Sequence, residues 1–75
     1  MVATTEIVAQ YLDSGQLFRI RENYHKGLLT DEDVEMLISE MMLNLDISDE
    51  TDEIVMSQAY EYVTGNEYVP DGSDI

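Results

Sequence analysis

The sequence has no cysteine, no tryptophan, one proline and only three lysine or arginine residues among its 75 positions. Without cysteine, disulfide bonds and thiolate metal sites are excluded, and nothing indicates an oxidising compartment. No apolar run approaches the roughly 20 residues that a membrane-spanning helix needs. The N-terminal stretch MVATTEIVAQ has neither a basic leader nor an apolar signal core. We therefore expect a soluble, cytoplasmic protein.

The scarcity of cations is confined to one part of the chain. Residues 1–27 contain three carboxylates and three cations, whereas residues 28–75 contain the other 14 of the 17 carboxylates and neither lysine nor arginine. The formal net charge of −14 therefore belongs to the second part. A surface of this kind repels nucleic acid and anionic membranes and attracts cationic surfaces.

Length and hydrophobic content together predict one small folded domain. A chain of 75 residues buries only about 60% of its unfolded surface, so its stability should be modest. Its hydrophobic fraction of 44% is nevertheless too high for a disordered acidic tail.

Hydrophobic residues recur at helical spacing and predict an all-α fold, a compact bundle of four short helices joined by short connections. The first helix is predicted from about Thr5 to Asp13 and the second from about Gln16 to Lys26. For the second helix, a short extended piece over the letters LFRI is an alternative.

The third helix has the clearest signals. Thr30 is a good N-cap, and Asp33 at the third helical position brings the sequence close to a capping box. The residues expected on its apolar face are Val34, Leu37, Ile38, Met41, Met42 and Leu45.

The fourth helix is predicted to have Ser48 as its N-cap and to end at Gly65. Its expected buried side consists of Val55, Ala59, Tyr62 and Val63. We expect residues 1–65 to form a single acidic helical domain, and residues 66–75 to form a turn and a flexible tail.

The stretch YHKGLLTDEDVEMLISEMM joins a helix end to a second amphipathic helix through glycine, aliphatic residues, threonine and three acids. In this respect residues 17–42 resemble the SHOCT domain, a short helical hairpin. The second helix here lacks the lysines usual in that family. The resemblance implies a helical hairpin over about a third of the chain, and no functional residue.

Many of the carboxylates lie where helix N-termini are predicted, and there negative charge interacts favourably with the helix dipole by ~0.3–1 kcal/mol each. These residues are Asp31, Glu32, Asp33, Glu35, Asp49, Glu50, Asp52 and Glu53. The dipole does not explain why cations are missing from the ends of the third and fourth helices. Solubility is one explanation, and a partner with a basic surface is the other.

Met36 and Leu43 are predicted on the outside of the third helix, almost opposite its apolar face. They are either ordinary exposed apolar residues or the apolar centre of a binding surface ringed by carboxylates. The residues predicted to bind a partner are Asp31, Glu32, Glu35, Met36, Glu40, Leu43, Asp49, Glu50, Asp52 and Glu53.

Two functions fit this pattern. In the first, the carboxylates imitate the phosphates of a duplex and occupy the groove of a basic, nucleic-acid-binding protein. Compact acidic inhibitors of this kind are typical of phages and mobile elements, by analogy of composition. In the second, the chain is a helical adaptor or regulatory subunit that docks through the apolar stripe, with a homodimer as one form. Salt should weaken the first mode far more than the second.

The sequence does not predict an enzyme. His25 is the sole histidine, and beside a helix C-terminus it is better explained as a favourable cation than as a catalyst. No cysteine nucleophile, Walker loop or zinc-protease motif is present. Arg19, Arg21, His25 and Lys26 form a small basic patch that we expect to offset nearby carboxylates rather than to bind nucleic acid directly.

No cofactor or metal is predicted either. Residues 46–57 begin like a calcium loop, with Asp46, Ser48 and Glu50 at its first, third and fifth positions. The match then fails, because Thr51 stands where the loop needs glycine and Ser57 where it needs glutamate.

Overall fold

The structure, a computed structural model, describes residues 6–68 and contains four α-helices and no strand within them. They are α1 (Glu6–Tyr11), α2 (Ser14–His25), α3 (Asp31–Met41) and α4 (Asp49–Thr64). The predicted all-α fold of four short helices is confirmed. The extended alternative for LFRI is wrong, since all four of its residues lie within α2.

The longest helix, α4, is the centre of the bundle. It packs against α1, α2 and α3, whereas α2 and α3 contact each other less. The buried core draws on every helix and consists of Val8, Leu12, Leu17, Ile20, Val34, Ile38, Met42, Val55, Met56, Ala59 and Val63. Full burial of a side chain the size of Val34 or Ile38 contributes roughly 1.5–3 kcal/mol to folding.

The boundary between the first two helices differs from the prediction. Asp13 does not lie within α1, which ends at Tyr11, but is the N-cap of α2. Its carboxylate accepts hydrogen bonds from the backbone N–H groups of Gly15 at 2.9 Å and Gln16 at 3.3 Å. Because Asp13 accepts from these two donors, it favours the start of α2 over the continuation of α1. The predicted beginning of the first helix at Thr5 lies outside the described residues.

The capping box of α3 is complete. The Thr30 hydroxyl accepts from the Asp33 backbone N–H at 3.1 Å, and the Asp33 carboxylate accepts from the Thr30 N–H at 3.0 Å. The expected apolar face is confirmed for Val34 and Ile38, which are fully buried. The helix ends earlier than its apolar pattern indicates, because Met42 is already the C-cap.

Residues beyond the end of α3 nevertheless keep contact with the core. Met42 is buried, and Leu45 is half-buried although it lies outside the helix. The periodicity of α3 therefore continues into an irregular connection, which places Leu45 on the core without helical backbone.

Both ends of α4 are as predicted. The Ser48 hydroxyl accepts from the Thr51 N–H at 3.2 Å, and Gly65 forms a left-handed C-cap with φ of 78°. Val55, Ala59 and Val63 are fully buried. Tyr62, predicted on the buried side, is only half-buried, and the Arg21 guanidinium lies 5.5 Å from the centre of its ring.

The chain returns onto α4 after Gly65. The Asn66 N–H donates to the Thr64 hydroxyl at 3.1 Å, and this hydroxyl donates to the Tyr60 carbonyl at 2.9 Å. Tyr68 then packs edge to face on Tyr60, with ring centres 5.2 Å apart. The predicted turn is present, and Tyr68, which follows it, is half-buried against the core. Residues 69–75 of the predicted tail lie outside the described residues.

Within residues 6–68, the longest helix has 16 residues, and no helix is both long and apolar enough to cross a membrane.

Candidate functional site

The first turns of α3 form one side of an open depression. Three predicted carboxylates border it: Asp31, Glu32 and Glu35. The other side is formed by the end of α4 and the residues that follow it, and consists of Tyr60, Asn66, Glu67 and Tyr68. This first depression therefore joins four carboxylates to two tyrosines, with no lysine or arginine among its lining residues.

A second depression lies at the first turns of α4. Its lining residues are Asp49, Asp52, Glu53, Met56 and Tyr68. Tyr68 borders both depressions, so the two adjoin at this residue. We call the combined surface the acidic face; it has seven carboxylates, namely Asp31, Glu32, Glu35, Glu67, Asp49, Asp52 and Glu53.

Helical geometry explains how distant parts of the sequence share this face. Asp49, Glu53, Met56 and Tyr60 follow one another at intervals of four, three and four residues, which aligns them along one side of α4. The left-handed backbone at Gly65 sends the chain back along this stripe, and Tyr68 covers part of it. The acidic face therefore consists of residues of α4 and of the segment that follows it, together with the first turns of α3.

Asp31 connects three helices through two tyrosines. The Tyr24 hydroxyl of α2 donates to the Asp31 carboxylate at 2.6 Å. This hydrogen bond, more than loss of solvation and the Asp31 charge, raises the pKa of Tyr24 above its usual 10.0. Burial raises the pKa of Tyr60 in the same direction, and the charges of Asp31 and Glu35 add to it. Both hydroxyls therefore stay protonated beside the carboxylates at neutral pH.

The remaining predicted residues lie apart from the acidic face. Glu40 borders a different depression, between α3 and the α1–α2 corner. Glu50 is exposed in the first turn of α4 and borders neither depression of the acidic face. Met36 is 60% and Leu43 77% exposed. Leu43 lies in the turn after α3, so the predicted stripe is not carried by the helix alone.

Five residues of the face are not predicted from the sequence as site residues: Met56, Tyr60, Asn66, Glu67 and Tyr68. The spacing of Tyr60 from Met56 and Glu53 is a signal that could have found it. The local sequence does not predict that Tyr68 lies on this face, because its position depends on the chain reversal at Gly65. Two further exposed apolar residues, Leu28 and Ile54, were also not predicted.

The basic patch forms a separate depression on α2. Arg21, His25 and Lys26 border it together with Phe18 and Glu22, while Arg19 is exposed elsewhere on the helix. The His25 ring also meets the Tyr24 ring edge to face, with centres 5.3 Å apart. None of these cations borders the acidic face.

The carboxylates of the acidic face are better suited to several separate cationic groups than to one metal ion. Among residues 6–68, no group of three or more histidine or carboxylate side chains is gathered closely enough to hold a metal ion. The spaced carboxylates can instead pair with separate ammonium or guanidinium groups, and the tyrosine rings can contact such cations over their faces.

No protein-family model matches the chain, and comparisons with curated proteins and with solved structures find no match either.

Proposed function

We propose that this chain is a non-catalytic, cytoplasmic acidic protein that binds a basic surface on a partner protein. The partner we favour is a nucleic-acid-binding protein whose groove the acidic face occupies, as phage and mobile-element inhibitors do. The observation that carries this proposal is the convergence of seven carboxylates from α3, α4 and the following residues on one face.

The density of charge supports mimicry of a duplex. From Asp49 to Tyr60, α4 runs roughly 16 Å along its axis. Duplex DNA carries one charge per about 1.7 Å, hence roughly ten phosphates over this distance. The acidic face has seven carboxylates, three of them on α4, which is a charge of the same order. A field of this strength speeds encounter with a cationic groove and repels nucleic acid itself.

The tyrosines add contacts that charge alone does not provide. Tyr60 and Tyr68 border the first depression beside Asp31 and Glu35. A guanidinium group can stack on a tyrosine ring while it pairs with a neighbouring carboxylate. We therefore expect arginine, more than lysine, to be the preferred residue of the partner.

Two variants of equal charge test the proposal. The first, D31N/E32Q/E35Q, neutralises three carboxylates of the acidic face. The control, E6Q/E22Q/E61Q, neutralises three exposed carboxylates outside that face. Each is used as bait in host lysate at low and high salt, and the captured proteins are identified and assayed for DNA or RNA binding.

We expect wild type and the control variant to retain a nucleic-acid-binding protein at low salt and to inhibit its binding to nucleic acid. The acidic-face variant should lose both effects, and high salt should release the partner from all baits. Equal capture and equal inhibition by the two variants would contradict the proposal.

The exposure of Met36 and Leu43, 60% and 77%, favours a second candidate. In this alternative the chain is a helical adaptor or regulatory subunit that docks through these residues, or forms a homodimer through them. The variant M36S/L43S would then lose the partner or become monomeric in sedimentation, while salt would have little effect. Unchanged binding and unchanged mass in this variant would exclude the adaptor.

A further inference from the structure

The depression on α2, here called the basic depression, is formed by Phe18, Arg21, Glu22, His25 and Lys26 and shares no lining residue with the acidic face. The sequence predicts that its cations offset nearby carboxylates. Within residues 6–68, however, none of these cations forms an ion pair, and Glu22 and Lys26 do not pair although they lie one helical turn apart. The basic depression therefore presents cations that no carboxylate of the described chain neutralises directly.

The Arg21 guanidinium is held in place by an aromatic ring of α4. It lies 5.5 Å from the centre of the Tyr62 ring, and Arg21 itself is half-buried. A contact over the face of a ring leaves the N–H groups at the edge of the guanidinium plane available, and these can bind both oxygens of one carboxylate. Lys26, exposed at the end of the helix, can pair with a second carboxylate.

Phe18 gives the basic depression an apolar side. Its side chain is half-buried, yet it is not among the apolar residues that form the core or pack against it. Its ring can therefore contact an apolar side chain of a bound molecule without any change in the core. From Phe18 to Lys26, α2 runs roughly 12 Å along its axis, which is the length of about four residues of extended chain.

We propose that the basic depression is a docking site for a short acidic segment of another protein. Two carboxylates of the segment pair with Arg21 and Lys26, and an apolar residue of the segment contacts Phe18. Glu22 borders the same depression and repels the segment. The site does not depend on the proposed function, because none of its residues belongs to the acidic face.

The net charge of −14 favours a protein segment over nucleic acid as the bound molecule. Over roughly 12 Å a duplex carries about seven phosphate charges, whereas the segment needs only two carboxylates. Repulsion from the rest of the protein is therefore smaller for the segment, and at about 0.15 M salt it is screened beyond roughly 8 Å. Affinity should be highest near this concentration. It should fall at about 0.01 M, where repulsion is long-range, and at about 1 M, where the direct pairs are screened.

A short peptide in which aspartate and leucine alternate, labelled with a neutral fluorophore, is the probe. Fluorescence anisotropy measures its binding to the full chain, and NMR of the isotope-labelled chain should show the largest amide shifts within residues 18–26. Lys26→Gln should weaken binding by about threefold, as expected for the loss of one exposed ion pair. Glu22→Gln should strengthen binding, because it removes a repelling carboxylate. Both side chains are exposed, so neither change should unfold the helix.

Glu61→Gln is the matched control for Glu22→Gln. It removes an exposed carboxylate that does not border the basic depression, and it changes the net charge by the same amount. It should therefore strengthen binding less than Glu22→Gln does. Equal effects of these two variants, or a Lys26→Gln variant that binds as tightly as wild type, would overturn the docking site, since binding would then depend on net charge alone.

Phe18→Ser tests the apolar contact, with a second peptide in which serine replaces leucine. The substitution should weaken binding of the aspartate–leucine peptide and leave binding of the aspartate–serine peptide unchanged, while far-UV circular dichroism checks that the helices remain folded. An equal loss for the two peptides would overturn the contact with Phe18. A single-stranded oligonucleotide of similar length that binds more tightly than the aspartate–leucine peptide, and loses affinity in Lys26→Gln, would overturn the choice of a protein segment.

Discussion

At the scale of single residues, Tyr24 and Asp31 link the acidic face to the stability of the bundle. Tyr24 lies on α2 and its hydroxyl donates to Asp31 at the start of α3, at 2.6 Å. The contact holds a carboxylate of the candidate site in place and joins two helices that otherwise contact each other little. The same hydrogen bond therefore orients a carboxylate of the candidate site and joins α2 to α3.

This pair predicts a loss of stability in alkali. The hydrogen bond to Asp31 raises the pKa of Tyr24 above 10.0 in the folded chain. A raised pKa gives stability that is complete below the unfolded value and is lost as pH rises through the folded value. The free energy of unfolding, measured by urea denaturation, should therefore fall more steeply above about pH 10 in wild type than in Tyr24→Phe.

Asp31→Asn provides the complementary variant, because it removes the charge that disfavours the ionised tyrosine. Its alkaline loss of stability should also be shallower than that of wild type. If wild type and both variants lose stability in parallel above pH 10, the Tyr24–Asp31 contact has no such role.

At the scale of elements, the helix ends were the part of the fold most open to prediction. Thr30, Ser48 and Gly65 act through their nearest neighbours in sequence, so local chemistry was sufficient to predict them. Asp13 is harder to predict, because an aspartate can end one helix or begin the next, and only its hydrogen bonds to Gly15 and Gln16 distinguish these two roles.

The candidate site was predictable only in part, for a related reason. Carboxylates at the starts of α3 and α4 follow from capping and dipole preferences, but their meeting on one face depends on tertiary packing. The contribution of Tyr68 requires a chain reversal and a contact with Tyr60, eight positions earlier in the sequence. Neither periodicity nor composition encodes such a contact.

Gly65, the C-cap of α4, is important for the acidic face because the chain reverses there and brings residues 66–68 onto it. Its φ of 78° disfavours a side chain, although a Cβ there would meet nothing within 4 Å. The cost of Gly65→Ala is therefore conformational, about 1–2 kcal/mol in the free energy of unfolding. Gly65→Asn should cost less, since asparagine tolerates this backbone better. Equal urea midpoints for the two variants would contradict the assignment.

At the scale of the whole molecule, a net charge of −14 on 75 residues must oppose folding. The melting temperature should rise with moderate salt as repulsion between carboxylates is screened. The rise should be smaller in D31N/E32Q/E35Q than in the control E6Q/E22Q/E61Q, although their net charges are equal. A flat or falling melting temperature in wild type would mean that the carboxylates are not crowded.

We propose that the protein binds a basic partner through the acidic face, around Tyr60 and Tyr68. The most direct test is to titrate the labelled chain with a short arginine-rich peptide and follow the shifts of its backbone amide resonances by NMR. The largest changes are predicted around Asp31, Glu35 and Glu67. Changes spread evenly over all exposed carboxylates, or centred on Met36 and Leu43, would contradict the claim.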